Sequence, residues 1–191
     1  MRKPLILIDP GHGGQDPGAV NHSLSIRESY LNLRVSLRLH DILNLAYVHP
    51  ALLTRAADST LSLEARVERQ KTSRAKYFVS LHFNSAPNPA RGFEVWTYPD
   101  SKRAKTLAWN VLEFLKEVMP NQPDRGLKQT GHLYVLKHTD CPAILVEFGF
   151  INHPEFCRWA TKDESQNQLA WAVARGLIKT IKQAETNKND I

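Results

Sequence analysis

The chain has 191 residues, 42% of them hydrophobic and 23% charged, a formal net charge of +6 and a sequence pI near 9.4. That is enough chain for one well-buried domain and short for two, and no apolar run approaches the roughly 20 residues of a membrane span. The basic balance favours anionic partners such as cell-wall polymers, lipid headgroups or nucleic acid; without a dense Arg/Lys run interleaved with aromatics, or zinc-finger spacing, nucleic acid is the weaker choice.

Met1-Arg2-Lys3-Pro4 is a basic start, but only Leu5 to Ile8 follow before Asp9, too few for the core of a signal peptide. The chain is therefore expected to be exported by another route, to be phage-encoded, or to be a domain of a longer protein. Leu5-Ile6-Leu7-Ile8 reads as a buried strand, and Asp9-Pro-Gly-His-Gly-Gly14 as a sharp turn at its end. A corner at the end of a buried strand is where α/β sheets place their chemistry, which makes His12 a candidate metal ligand. Gln15 to Ala19 prolongs the loop. From Glu28 to Leu43, Leu31, Val35, Leu39 and Ile42 recur at helical spacing, and Ser25-Ile26-Arg27-Glu28 before them fits a capping box.

Tyr47 to Thr54, interrupted by His49-Pro50, suggests a short strand at a sheet edge. A Glu- and Arg-rich helix is expected over Leu63 to Ala75. Tyr77 to Phe83 reads as a central strand bearing His82 at its end, and Pro87 and Pro89 mark the loop after it. Gly92 to Tyr98 alternates as a strand and Lys102 to Val118 as a helix. Asn121 to Thr130 is polar and turn-rich, Leu133 to Leu136 a short strand, and Ala143 to Gly149 a buried strand interrupted by Glu147. A carboxylate there is expensive to bury alone, so Glu147 needs a partner; a salt bridge to one of the many arginines is the purely structural alternative to a functional role. A helical region starts at Pro154, and Asn167 to Lys182 is an amphipathic C-terminal helix. Cys141 and Cys157 are too far apart for a metal pair and read as ordinary buried thiols, with a single disulfide as the alternative. No repeat or linker divides the chain, so one α/β domain is expected.

Three strand ends thus bring His12, His82 and Glu147 toward one edge of a sheet, and a helix start brings Glu28. Two imidazoles and a carboxylate form a catalytic zinc set, with a further carboxylate free to act as base. Spacing alone does not say which Glu is the ligand.

The chain resembles the zinc-dependent N-acetylmuramoyl-L-alanine amidases of the amidase_3 type. The matching pieces are Asp9-Pro-Gly-His-Gly-Gly-Gln-Asp-Pro-Gly-Ala19, Glu28 with Asn32-Leu33, Leu53-Thr-Arg55 with Asp58, Ser80-Leu-His-Phe-Asn84, Asp124-Arg-Gly-Leu-Lys128 and Leu145-Val-Glu-Phe-Gly-Phe-Ile-Asn152. Ser25-Ile26-Arg27 stands where such proteins often carry Gly, which alters the loop and keeps the ligand. The resemblance implies a single α/β domain with a mostly parallel twisted sheet flanked by helices, of the phosphorylase/hydrolase-like kind. It implies one zinc (Zn2+) per chain on His12, Glu28 and His82, which sets aside the capping role of Glu28, and Glu147 as the catalytic residue. The implied reaction is hydrolysis of the amide between N-acetylmuramic acid and the L-alanine of the stem peptide, by zinc-activated water with a Glu general base. Arg55 and Asp58 read as a structural ion pair.

The catalytic domain is expected over residues 1–185, with a polar tail at 186–191. Peptidoglycan is the expected partner, at the cell wall in the periplasm or outside the cell. Neither a membrane span nor nucleic acid is expected. No obligate activator is expected either, because the connections near the site look too short for an inserted covering helix. Two alternatives remain at this stage. One is a zinc peptidase cutting within the stem peptide, though His12-Gly-Gly-Gln15 lacks the His-x-x-Glu of metallocarboxypeptidases. The other is a catalytically silent wall-binding module.

Overall fold

The computed structural model describes residues 3–45, 49–86 and 90–189. Its centre is a six-stranded sheet in the order β4-β1-β5-β8-β6-β7. These strands are β1 (Ile6–Pro10), β4 (Ala51–Leu53), β5 (Tyr77–Asn84), β6 (Phe93–Thr97), β7 (Asp124–Gln129) and β8 (Ala143–Phe150). All neighbours pair in parallel except β6 with β8. A two-stranded ribbon, β2 (Val20–Asn21) and β3 (Ile26–Arg27), leads into helix α1 (Glu28–Leu45). The other helices are α2 (Leu63–Ser73), α3 (Lys102–Val118), α4 (Tyr134–His138), α5 (Pro154–Ala160) and α6 (Asp163–Asn189).

Strand parity sorts the core into two layers. Ile6, Ile8, Val79, Leu81, Phe83, Val95, Ile144, Val146 and Phe148 point to the face covered by α1, α3 and α6. Leu7, Phe78, Ala143 and Leu145 point to the other, covered by Val67 of α2 and Val135 and Leu136 of α4. Because alternate residues share a face, Asp9, Ser80, His82, Glu94 and Glu147 belong to this second, thinner side. The edge of the sheet where β1, β5 and β8 end is left for polar groups.

The long elements lie where periodicity put them, and α3 coincides with its expected span. Two short ones differ. Residues expected as a polar turn form β7, an edge strand whose side chains are half or fully exposed and in which only Leu127 packs on the core. Leu133 to Leu136, expected as a strand, is the start of α4: its four-residue apolar run suits a helix turn or a strand equally. The C-terminal helix begins earlier, at Asp163, and continues without a break past residue 186 to Asn189. The edge strand near residue 50 forms over Ala51–Leu53, pairing β1; Tyr47 and the Pro87 and Pro89 of the following loop lie outside the described residues. Both cysteines are free thiols, Cys157 buried and Cys141 half-buried.

Candidate metal centre

After β1 the backbone turns through left-handed conformations at His12 (φ 58°), Gly13 (128°) and Gly14 (61°). For a non-glycine residue this costs about 1–2 kcal/mol, and the surroundings impose it. Arg55, buried, donates from Nε to Pro10 O (3.0 Å) and from Nη2 to Gly11 O (2.8 Å) and Ser29 O (3.0 Å). Arg66, also buried, donates from Nη1 to Pro10 O (2.7 Å) and from Nη2 to His12 O (2.8 Å). Its charge is balanced by Asp9, 2.7 Å away, whose carboxylate also accepts from Thr54 Oγ1 (2.6 Å) and Ser80 Oγ (2.8 Å). Two guanidiniums therefore grip the main chain that carries His12.

The expected pairing of Arg55 with Asp58 is not what holds this loop. Arg55 spends its donors on carbonyl oxygens, while Asp58 Oδ1 accepts the N–H of Gly14 (2.8 Å) and Oδ2 lies 3.8 Å from Arg27. Nor does Glu28 close a capping box. It is itself the first residue of α1, and its Oε2 accepts from Ala19 N–H (2.9 Å). Its Oε1 accepts from Asn32 Nδ2 and Phe83 N–H, both at 3.2 Å.

Three of the residues singled out from sequence meet. His82 Nδ1 lies 2.9 Å and His12 Nε2 3.3 Å from the same Glu28 oxygen. The two imidazoles cross at 80° with centroids 5.0 Å apart, and one ligand atom from each of His12, Glu28 and His82 lies within 4.8 Å of the others. Neighbouring glycines make the room: a Cβ on Gly11 would sit 2.2 Å from His82 Cε1, and one on Gly18 would sit 2.6 Å from Glu28 Oε2 and 2.7 Å from His12 Cδ2. Asp16 Oδ2 accepts from His12 Nδ1 at 2.7 Å. That bond fixes the tautomer with Nε2 facing the cluster, as carboxylate–histidine pairs do beside metals. The donor set fits zinc: two imidazoles, one carboxylate and an open side.

Burial disfavours charge on His12, but hydrogen bonds to and the charges of Glu28 and Asp16 outweigh it and raise its pKa to about 9. Burial likewise works against the Glu28 carboxylate, yet the two histidines hold it far below the usual range. In the metal-free protein the cluster is thus a protonated imidazole against a carboxylate, the arrangement a cation would replace.

Glu147 stands beside this group as the register partner of His82. No arginine pairs with it among the described residues. Its Oε2 is buried without a hydrogen-bond partner, and burial, then the charges of Glu28 and Glu94, push its pKa well above the ordinary carboxylate value. It lines an open cavity of about 340 Å³ with Asn84, Glu94, Trp96, Thr130, His132, Leu133 and Leu145. Sequence reasoning passed over Arg66 and Glu94. Nothing local marks Arg66 in a Glu/Arg-rich helix; Glu94, an acid within a strand of otherwise apolar and aromatic residues, was the available signal.

The model of the Amidase_3 family, described as N-acetylmuramoyl-L-alanine amidase, matches residues 6–179. The chain is 38% identical over 179 residues to the N-acetylmuramoyl-L-alanine amidase CwlM of Bacillus licheniformis, covering 92% of this chain and 68% of that one. It is 33% identical over 187 residues to the sporulation-specific N-acetylmuramoyl-L-alanine amidase of Bacillus subtilis, covering 97% and 71%. Among solved structures, the CwlD amidase of Clostridioides difficile, in complex with the GerS lipoprotein, superposes with a TM-score of 0.90 at 30% identity, covering 94% of this chain and 99% of that one.

Proposed function

Since the chain belongs to the N-acetylmuramoyl-L-alanine amidases of the Amidase_3 family, we propose that it holds one zinc ion on His12, Glu28 and His82 and uses Glu147 as its catalytic carboxylate. The reaction itself follows from membership: the protein is a peptidoglycan hydrolase that cleaves the amide between N-acetylmuramic acid and the L-alanine of the stem peptide. One observation carries the assignment of roles. The ligand atoms of His12, Glu28 and His82 converge within 4.8 Å, and the one buried carboxylate oxygen without a hydrogen-bond partner among the described residues, Glu147 Oε2, belongs to the register partner of His82.

Zinc bound there supplies a Lewis acid for the amide carbonyl and lowers the pKa of the attacking water toward neutrality. The side chains do the rest. Asp16 keeps His12 Nε2 directed inward, and the N–H groups of Ala19 and Phe83 with the Asn32 amide hold the Glu28 carboxylate in place. Glu147 Oε2 accepts a proton from the attacking water and returns it to the alanine nitrogen as the C–N bond breaks. Its burial between two other carboxylates makes it a stronger proton acceptor than an exposed glutamate.

The chain acts on the cell wall, and no described helix is long and apolar enough to cross a membrane. It works without an obligate activator in this reading, which digestion of purified wall by the chain alone tests. The test is to load the protein with zinc and digest defined peptidoglycan. Mass spectrometry should find free stem peptides beginning with L-alanine and peptide-free glycan. Cuts within the peptide would instead establish the peptidase alternative, and binding without fragments the silent module. His82→Ala should lose both metal and activity; full retention of zinc by that variant would overturn the ligand assignment.

A further inference from the structure

His82 on β5 is the register partner of Glu147 on β8, and Glu147 in turn faces Glu94 on β6. With strands about 4.8 Å apart, this row runs from the metal ligand roughly 10 Å across the sheet. At its far end Glu94 is buried and fully engaged. Oε1 accepts from Asn84 Nδ2 (3.2 Å) and Trp96 Nε1 (3.1 Å), and Oε2 accepts from Arg125 Nε (2.7 Å). The Arg125 side chain is 40% exposed, and its guanidinium carbon lies 5.2 Å from the Phe150 ring centroid. Since the bond to Glu94 uses Nε–H, the four N–H donors of the two terminal nitrogens are at the outer end of the fork. A guanidinium fixed from behind by a buried carboxylate and from the side by a ring is preorganised to take a second carboxylate.

We propose that Arg125 binds the free α-carboxylate of the stem-peptide residue that follows L-alanine, and so sets the substrate preference of the enzyme. This rests on the amidase reading above. The carboxyl group of muramic acid is consumed in the scissile amide, so the carboxylates near that bond belong to the peptide. The leaving nitrogen sits at Glu147, which protonates it. From there the peptide advances at most 3.3–3.6 Å per residue, so the second residue lies about one strand spacing away, above Glu94 and within reach of Arg125. Trp96, Leu133 and Leu145 wall the open cavity beside Glu147 and Glu94, apolar ground for the alanine.

The experiment uses the zinc-loaded chain and two muramoyl tripeptides with amidated C-termini, differing only in whether the second residue carries a free α-carboxyl or a carboxamide. For the wild type, kcat/KM on the acid should exceed that on the amide by on the order of 10- to 100-fold, the value of losing a charge-assisted fork, and the difference should lie mainly in KM. Arg125→Lys should retain part of the preference and Arg125→Ala should bring the ratio near one. Circular dichroism and zinc content check that both variants are folded, and the wild-type comparison needs no variant at all. A wild-type ratio near one, or a preference that survives in Arg125→Ala, overturns the assignment while leaving the amidase reading intact. Failure of the wild type to cut either compound overturns both.

Discussion

Replacing Gly11 by alanine separates the metal centre from the fold that carries it. Gly11 is not among the residues in left-handed conformations, so alanine can adopt its backbone without strain. What it meets is His82: the new Cβ would lie 2.2 Å from Cε1, 2.3 Å from Nε2 and 2.7 Å from Nδ1. The ring must retreat by about an ångström or more to reach ordinary contact, whereas metal–ligand distances tolerate only about 0.2 Å. Losing that geometry should lower zinc affinity at least 10- to 100-fold, the range seen when only a ligand's support is removed, or about 1.4–2.8 kcal/mol. Without metal the balance is small. The variant forfeits the His82–Glu28 bond, about 0.5–1.5 kcal/mol, and recovers about 0.4–1 kcal/mol from a stiffer unfolded chain. Zinc affinity by chelator competition and urea unfolding of the metal-free protein read the two quantities separately. Gly126→Ala is the converse control: with φ 77° and no atom within 4 Å of its Cβ, it should lower stability by about 1 kcal/mol and leave zinc affinity alone. Gly11→Ala binding zinc within twofold of wild type, or losing more than about 3 kcal/mol of metal-free stability, would refute the reasoning.

Other outcomes follow from the same geometry. Glu147→Gln should keep fold and zinc while slowing hydrolysis on the order of 10²–10⁴-fold; near wild-type turnover on purified wall would make Glu147 structural. Because the His12 pKa is raised to about 9 and a ligand imidazole must be neutral, zinc binding at pH 7 should release a proton and its affinity should climb about tenfold per pH unit until pH 9. Calorimetry in buffers of different ionisation heat reads this, and a flat profile counts against His12. Arg66→Met leaves Asp9 buried without its countercharge and should cost about 3–5 kcal/mol, lowering the melting temperature of the metal-free protein by about 10 °C. Purified sacculi should clear with the chain alone, faster at low salt because of its basic surface; activity that appears only with a host protein factor would reveal an activator.

The strong strands and their site residues were legible because each is an apolar run that carries a polar residue toward its C-terminal end: Asp9 after Ile8, His82 after Leu81, Glu147 after Val146. Glu28 was different. Local sequence offered it a capping role, and only the resemblance, then the meeting with two histidines, separated the uses. β7 was illegible because an edge strand buries too little to leave a period, with Leu127 its lone apolar residue. Arg66 could not be recognised because, Asp9 apart, what it binds is backbone, and backbone carbonyls leave no trace in a sequence. The arginine that would have made Glu147 purely structural does not pair with it among the described residues; Arg125 pairs with the neighbouring Glu94 instead.

That main-chain grip has a genetic consequence. When one side chain recognises another, damage to the first can be repaired by changing the second. Arg55 and Arg66 recognise the carbonyl oxygens of Pro10, Gly11 and His12, which every amino acid would present alike. A lost arginine should therefore find no intragenic suppressor among substitutions in the loop it holds. Revertants should restore the guanidinium itself. By the same logic Gln15, whose N–H bonds Thr60, is free to drift, since the shape around the metal is specified from outside the loop.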